Sequence, residues 1–223
     1  MKILLEDNHL LVVCKPGGIT VQGDGHKVDL IGMCKIYIKE KYNKTGNVFC
    51  SAVHRLDTPA SGIVVLARTS RAARRLQEQF KTRQVQKFYQ ALCEGPLQPG
   101  IYEDRLVQDE RLRKARLAEE GKEARLQVLS CRAVKLKPIA KILYLLEIQL
   151  LTGRYHQIRC QLSSRGLPIV GDFKYGSRFI LSKDKSHSSI FLHAGLLEIE
   201  HPVRRESLRF ECSPDWEYEA EGS

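Results

Sequence analysis

The chain has 223 residues, 43% hydrophobic and 28% charged, which is long enough for a real core and excludes global disorder. Its 36 Lys and Arg against 26 Asp and Glu leave a formal net charge of +10. That surplus favours a polyanionic partner, nucleic acid first and an anionic membrane surface second.

No apolar run approaches membrane-spanning length, and MKILLEDNHLL is broken by acids before a signal-peptide core forms. A soluble cytoplasmic protein is therefore expected. The seven cysteines contain no C-x-x-C pair, and with the histidines they assemble no zinc spacing. Most are expected to be small buried apolar residues in a reducing compartment.

In chain order, residues 3–5 and 10–14 are expected as short strands around an Asp7-Asn8 turn, closed by Lys15-Pro16-Gly17-Gly18. Asp29 caps a helix whose Leu30, Met33, Cys34 and Tyr37 follow helical spacing. A strand over 48–53 leads to the stretch VHRLDTPASGIVVLAR. There Asp57 sits on a turn built from Thr58, Pro59, Ala60, Ser61 and Gly62, which enters the apolar strand 63–67. An acid on a stiff turn feeding a buried strand is a way to present a reactive group at a pocket. The same pattern also describes an ordinary Asx turn.

Ser70 is expected to cap a second helix burying Ala73, Leu76 and Phe80, with Arg71, Arg74 and Arg75 on its outer face. Such a row is either solvated or in contact with phosphates. Residues 87–94, KFYQALCE, form a strand. Residues 99–121 are charged and poorly periodic, expected as a mobile or RNA-facing loop with a short hairpin. Strands over 124–134 and 139–150 follow, the second apolar enough to be central. Thr152-Gly153 turns the chain into a helix over 156–164 with Ile158 and Leu162 inward, then a short strand over 168–170. Strands over 190–200 and 207–212 close the chain, Trp216 docks, and 217–223 fray. No βαβ alternation is visible, so the class is α+β.

Three segments resemble, in order, the motifs of the RluA family of pseudouridine synthases: HRLD-x-x-x-SG at 54–62, KFY at 87–89 and T-G-R-x-H-Q-I-R at 152–159. DNHLLVVCKPGG at 7–18 and FLHAGLLEIEHP at 191–202 resemble the family's opening and closing segments. Ala60 stands where the family usually has Thr. The resemblance implies a single pseudouridine-synthase catalytic domain over 1–223, with a large, mostly antiparallel sheet flanked by helices around a central cleft. The small RNA-binding domain that precedes the opening strand in many relatives is not expected, since six residues leave it no room.

It further implies isomerisation of uridine in ribosomal or transfer RNA, with no cofactor and no metal, since no group or electron enters or leaves; no interface signal is visible in the sequence, so a monomer is expected. Asp57 is the implied catalytic acid, Tyr89 the pocket aromatic and Arg154 the cation paired with Asp57. Arg55 is implied to fill the gap left by the displaced base. RNA contact is further expected of His54, Ile158, Leu162, Arg71, Arg74 and Arg75. Burial disfavours a charged carboxylate and a guanidinium beside it restores the charge, so loss of Arg154 is expected to cost activity and folding together. Two rival readings are a silent RNA-binding paralogue and a glycosidase pairing Asp57 with Asp172 or Glu94.

Overall fold

The computed structural model describes residues 1–23, 28–136, 139–179 and 189–220. Two strands, β1 (Lys2–Glu6) and β2 (Leu10–Lys15), open the chain, followed by helix α1 (Leu30–Lys41). The expected strand over 48–53 shrinks to β3 (Ser51–Ala52), and β4 (Ser61–Ala67) follows the Asp57 turn. Helix α2 (Ser70–Lys81) is capped by Thr69, one residue before the expected Ser70, whose side chain accepts from the Ala72 amide.

Then come β5 (Gln86–Cys93), β6 (Gly100–Asp109), β7 (Lys114–Leu117), β8 (Lys122–Leu136), β9 (Ile139–Leu150), α3 (Gln157–Ser163), β10 (Leu192–Glu200), β11 (Ser207–Glu211) and β12 (Glu219–Ala220). The stretch 99–121 is thus an antiparallel hairpin, not a loop: β6 pairs with both β7 and β8. Its charges alternate with half-buried residues, so the apolar signal was thin. Within the 217–223 expected to fray, Glu219 and Ala220 pair with Lys135 and Val134; 221–223 lie outside the described residues. The expected strand at 168–170 reduces to a bridge between Ile169 and Cys93.

Among the described residues, twelve strands join one sheet in the order β1-β2-β4-β10-β5-β9-β8-β6-β7, with β3, β11 and β12 pairing at its sides. Of these pairings all are antiparallel except β4 with β10, which run parallel through Ser61–His193 and Gly62–Ala194. The apolar runs of β2 and β4 are continuous because both faces are covered. Leu10, Val12, Ile63 and Val65 pack with Ala72, Ala73 and Leu76 of α2. Leu11, Val13, Val64 and Leu66 pack with Leu30, Cys34 and Ile38 of α1. The buried stripe of α1 is Leu30, Ile31, Cys34 and Ile38, rotated slightly from the one expected through Met33 and Tyr37. Farther along the sheet, Ile158 and Leu162 of α3 pack on Leu126, Val128 and Ile148.

Cys14 and Cys212 form a disulfide across 198 residues, contrary to the expectation of reduced cysteines. The strand pairing of β2–β4–β10–β11 brings together positions that spacing alone could not. Cys34, Cys50, Cys93 and Cys160 are free and buried as expected, and Cys131 is free and half-buried. Among the described residues no helix is long and apolar enough to cross a membrane.

Candidate active site

Asp57 sits on the last turn before β4, where β4 and β10 run parallel and close together. Gly62 has φ +124, and a Cβ there would lie 2.7 Å from Ala194 Cα. Glycine is required at this position by both conformation and space.

The turn is held from beneath by Lys15, which is fully buried. Its ammonium shares three N–H groups among four carbonyls, those of Pro16 at 3.0 Å, Ile19 at 2.8 Å, Thr58 at 3.2 Å and Ala60 at 2.6 Å. Burial pushes Lys15 down to about 8, against the pull of the nearby Asp57 charge. Four carbonyl acceptors demand a donor-rich ammonium, so this lysine ties the Asp57 turn to the end of β2.

The side chain of Asp57 is 23% exposed and lies in a cleft of about 1010 Å³. Its Oδ2 accepts from Arg159 Nη1 at 3.0 Å. The expected pair with Arg154 does not form. Arg154 Nε instead donates to the Glu123 carbonyl at 2.8 Å on the cleft wall. The reason is local: the turn 152–156 is locked by Gln157, whose Oε1 accepts from the Arg154 amide at 3.0 Å and whose Nε2 donates to the Arg125 carbonyl. That lock aims Arg154 at β8. Only after His156 takes a left-handed conformation, φ 49 and ψ 30, does α3 begin and carry Arg159 inward.

Arg159 is 4% exposed and forms a two-pronged pair with Asp172, 1% exposed: Nε to Oδ2 at 2.7 Å and Nη2 to Oδ1 at 2.8 Å. Burial works against the Arg159 charge, but Asp172 and then Asp57 outweigh it and leave the guanidinium more firmly protonated than usual. The Tyr175 ring lies 4.9 Å from its central carbon. The sequence marked Ile158 and Leu162 as inward. An arginine between them, seven-residue helix notwithstanding, was the available sign that a buried cation needed carboxylates.

Tyr89 lines the cleft, and burial, then the Asp57 charge, push its phenol above the usual range. Arg55 is exposed on the cleft lining, and Ile158 lines the cleft while 4% exposed. Leu162 is in the core and does not reach the cleft. His54 lines the cleft; its Nε2 accepts from the Val65 amide at 3.0 Å and its ring stacks on Phe80 at 4.6 Å. Burial, helped by the Lys87 charge, pushes it down to about 3, so it is a neutral residue of the cleft lining whose Nε2 is spent on the backbone.

Arg71, Arg74 and Arg75 do not reach the cleft either, because α2 buries its Ala73–Leu76 face on β4 and points these outward; Arg75 donates to the Pro202 carbonyl at 2.5 Å. Among the described residues the cations on the cleft lining are Arg55, Lys81, Arg83, Lys87, Lys122 and Arg154 besides Arg159, with Lys87 pushed down to about 8 by burial and by Arg83. Among the described residues, one group brings three metal-type ligand atoms within 4.8 Å: Cys14, His193 and Cys212. Two of these are spent in the disulfide. His193 is engaged by Ser61 Oγ at Nδ1 and donates from Nε2 to the Cys212 carbonyl.

A cationic cleft with a carboxylate on its floor, paired to a buried guanidinium, defines an enzyme acting on a polyanion. Residues 9–164 match the family model described as RNA pseudouridylate synthase. The ribosomal large subunit pseudouridine synthase C of Haemophilus influenzae is 33% identical over 98% of this chain and 67% of its own length. The dual-specificity RNA pseudouridine synthase RluA of the same organism is 33% identical over 97% of this chain and 94% of its own. The structure of human RNA pseudouridylate synthase domain containing 4 superposes with a TM-score of 0.75 at 27% identity, covering 96% of this chain and 89% of that one. The chain belongs to the RNA pseudouridylate synthase family.

Proposed function

We propose that this chain converts uridine to pseudouridine in ribosomal or transfer RNA, with Asp57 as the reacting carboxylate. The observation that carries the reading is the Asp57–Arg159–Asp172 array at the floor of the cationic cleft. Oδ2 of Asp57 is engaged by Arg159, and among the described residues no hydrogen bond reaches Oδ1. Oδ1 is then the oxygen free to act on the ribose, either by attack or by taking a proton. A stacked base cannot present its glycosidic bond to a floor this deep, so the uridine must leave the helix. Arg55, on the cleft lining, takes its place in the stack. Tyr89 stacks on the uracil once it is inside. The lining cations hold the flanking phosphates.

Relatives named as ribosomal large subunit and as tRNA pseudouridine synthases support an RNA of one of these two kinds. The test is carbodiimide mapping of pseudouridines in a strain lacking the gene. At least one modified position should disappear, return with the wild-type gene, and stay absent with Asp57→Asn. Restoration by Asp57→Asn would overturn the assignment.

A further inference from the structure

His156 occupies a conformation that side chains rarely adopt, φ 49 and ψ 30, at the entry to α3. Its ring is sandwiched: Tyr155 stacks on it at 3.8 Å, and Tyr175 meets it edge-on at 5.6 Å. The Tyr175 hydroxyl accepts from the Ala115 amide at 2.7 Å and lies 2.9 Å from His156 Nδ1. With the amide proton on one lone pair, the hydroxyl is free to direct its own hydrogen at Nδ1. In that arrangement Nδ1 accepts and a neutral ring carries its proton on Nε2, the nitrogen turned to an acceptor-only carboxylate. That nitrogen faces Asp57 Oδ2 at 3.7 Å.

The groups around the ring come from every element packed on it. They are Asp57 from its turn, Arg159 from α3, Asp172, Lys174 and Tyr175 from the segment after it, and Lys114 of β7 over the Tyr175 ring. Burial, then Arg159 and Lys174, push the imidazole down to about 3, against Asp172. A neutral N–H donor thus stands beside the oxygen that Arg159 already holds.

We infer that His156 is a positioning residue: its Nε2–H, aimed by the Tyr175 hydroxyl, closes onto Asp57 Oδ2 when RNA fills the cleft and leaves Oδ1 as the oxygen presented to the ribose. This rests on the reading of Asp57 as the reacting carboxylate. A carboxylate pinned through one N–H still turns about its last torsion and exposes either oxygen. A second donor on the same oxygen removes that freedom, and a neutral one does so without further damping the reactivity of the anion. Shortening 3.7 Å to hydrogen-bond length takes a shift of under about 1 Å, and such contacts commonly tighten on substrate binding.

The test combines single-turnover tritium release from [5-³H]uridine-labelled total RNA, taken from cells lacking the protein, with ¹⁵N spectra of labelled histidines. His156→Asn suits the left-handed backbone but falls short of Asp57. It should melt near wild type and lose about 10²-fold in kcat with KM held within about twofold. His156→Gln, whose amide extends farther, should recover part of that loss. Wild-type His156 should show the Nε2–H tautomer from about pH 6 to about 8, and Tyr175→Phe should mix the tautomers and lower kcat.

An Asn variant at wild-type rate, an Nδ1–H tautomer or a cationic ring would overturn the inference. If His156→Asn fails to fold, the tautomer and the Tyr175→Phe rate decide it. Wild-type protein that releases no tritium takes down the function proposal as well. A wild type that is active, with Asp57→Asn dead and His156→Asn undiminished, takes down the role of His156 alone.

Discussion

Arg159 joins two carboxylates, and removing it should separate folding from catalysis. In Arg159→Met, Asp172 at 1% exposed loses both charge-assisted hydrogen bonds, and a buried charge stripped of its partner costs about 3–5 kcal/mol. For a chain of this length that is a fall in Tm of about 10 °C. It is also a large share of a total stability on the order of 10 kcal/mol. Asp57, at 23% exposed, keeps partial solvation, so the stability loss comes chiefly from Asp172. In Arg159→Met with Asp172→Leu no buried charge is left behind, and exchange of a buried pair for apolar groups is often neutral. The double variant should therefore regain most of the Tm.

Its rate should not return. Asp57 still lacks the guanidinium, and loss of one such electrostatic partner costs about 10²–10³-fold. Differential scanning calorimetry and single-turnover tritium release on the two variants read the two quantities independently. A double variant that regains rate along with stability would show that Arg159 serves the fold alone. A single variant as stable as wild type would refute the reading of Asp172 as a buried charge that depends on Arg159.

Gly62→Ala should destabilise the protein by more than about 3 kcal/mol, through a backbone at φ +124 combined with overlap on Ala194; chemical denaturation with an unchanged midpoint would contradict the close strand approach. His54 and His156 are both held near 3 in the fold, against an ordinary value of about 6.5. Depressed pKa values mean that the unfolded state binds more protons between about 3 and about 6.5, so stability is lost as pH falls through that window. Between pH 7 and pH 5 each should cost about 2 kcal/mol in urea unfolding, and His54→Gln, which keeps an acceptor for Val65, should flatten the dependence. The Cys14–Cys212 bridge closes a loop of 198 residues, worth up to about 5 kcal/mol by chain entropy. Thiol titration of the unreduced, denatured protein should find the five free cysteines, and a reductant should lower Tm in wild type but not in Cys212→Ser; seven reactive thiols would refute the bridge.

What the sequence by itself determined was local and linear. The apolar runs of β2 and β4 read as strands because both faces are covered, Asp29 read as a cap, and HRLD with its Gly62 read as a turn that presents an acid. The family, and with it the reaction, followed from motifs whose order survives in one dimension. The tertiary structure decided which side chain meets which.

Arg154 and Arg159 are five positions apart and chemically identical. Only the left-handed step at His156, which turns α3 inward, selects the second as the partner of Asp57. Tyr175 and Lys15 act through contacts to segments far along the chain, and the two cysteines of the bridge stand near its opposite ends. Periodicity reports which face of an element is buried, but a pair between elements depends on where the sheet puts them, and that is set by every strand pairing together.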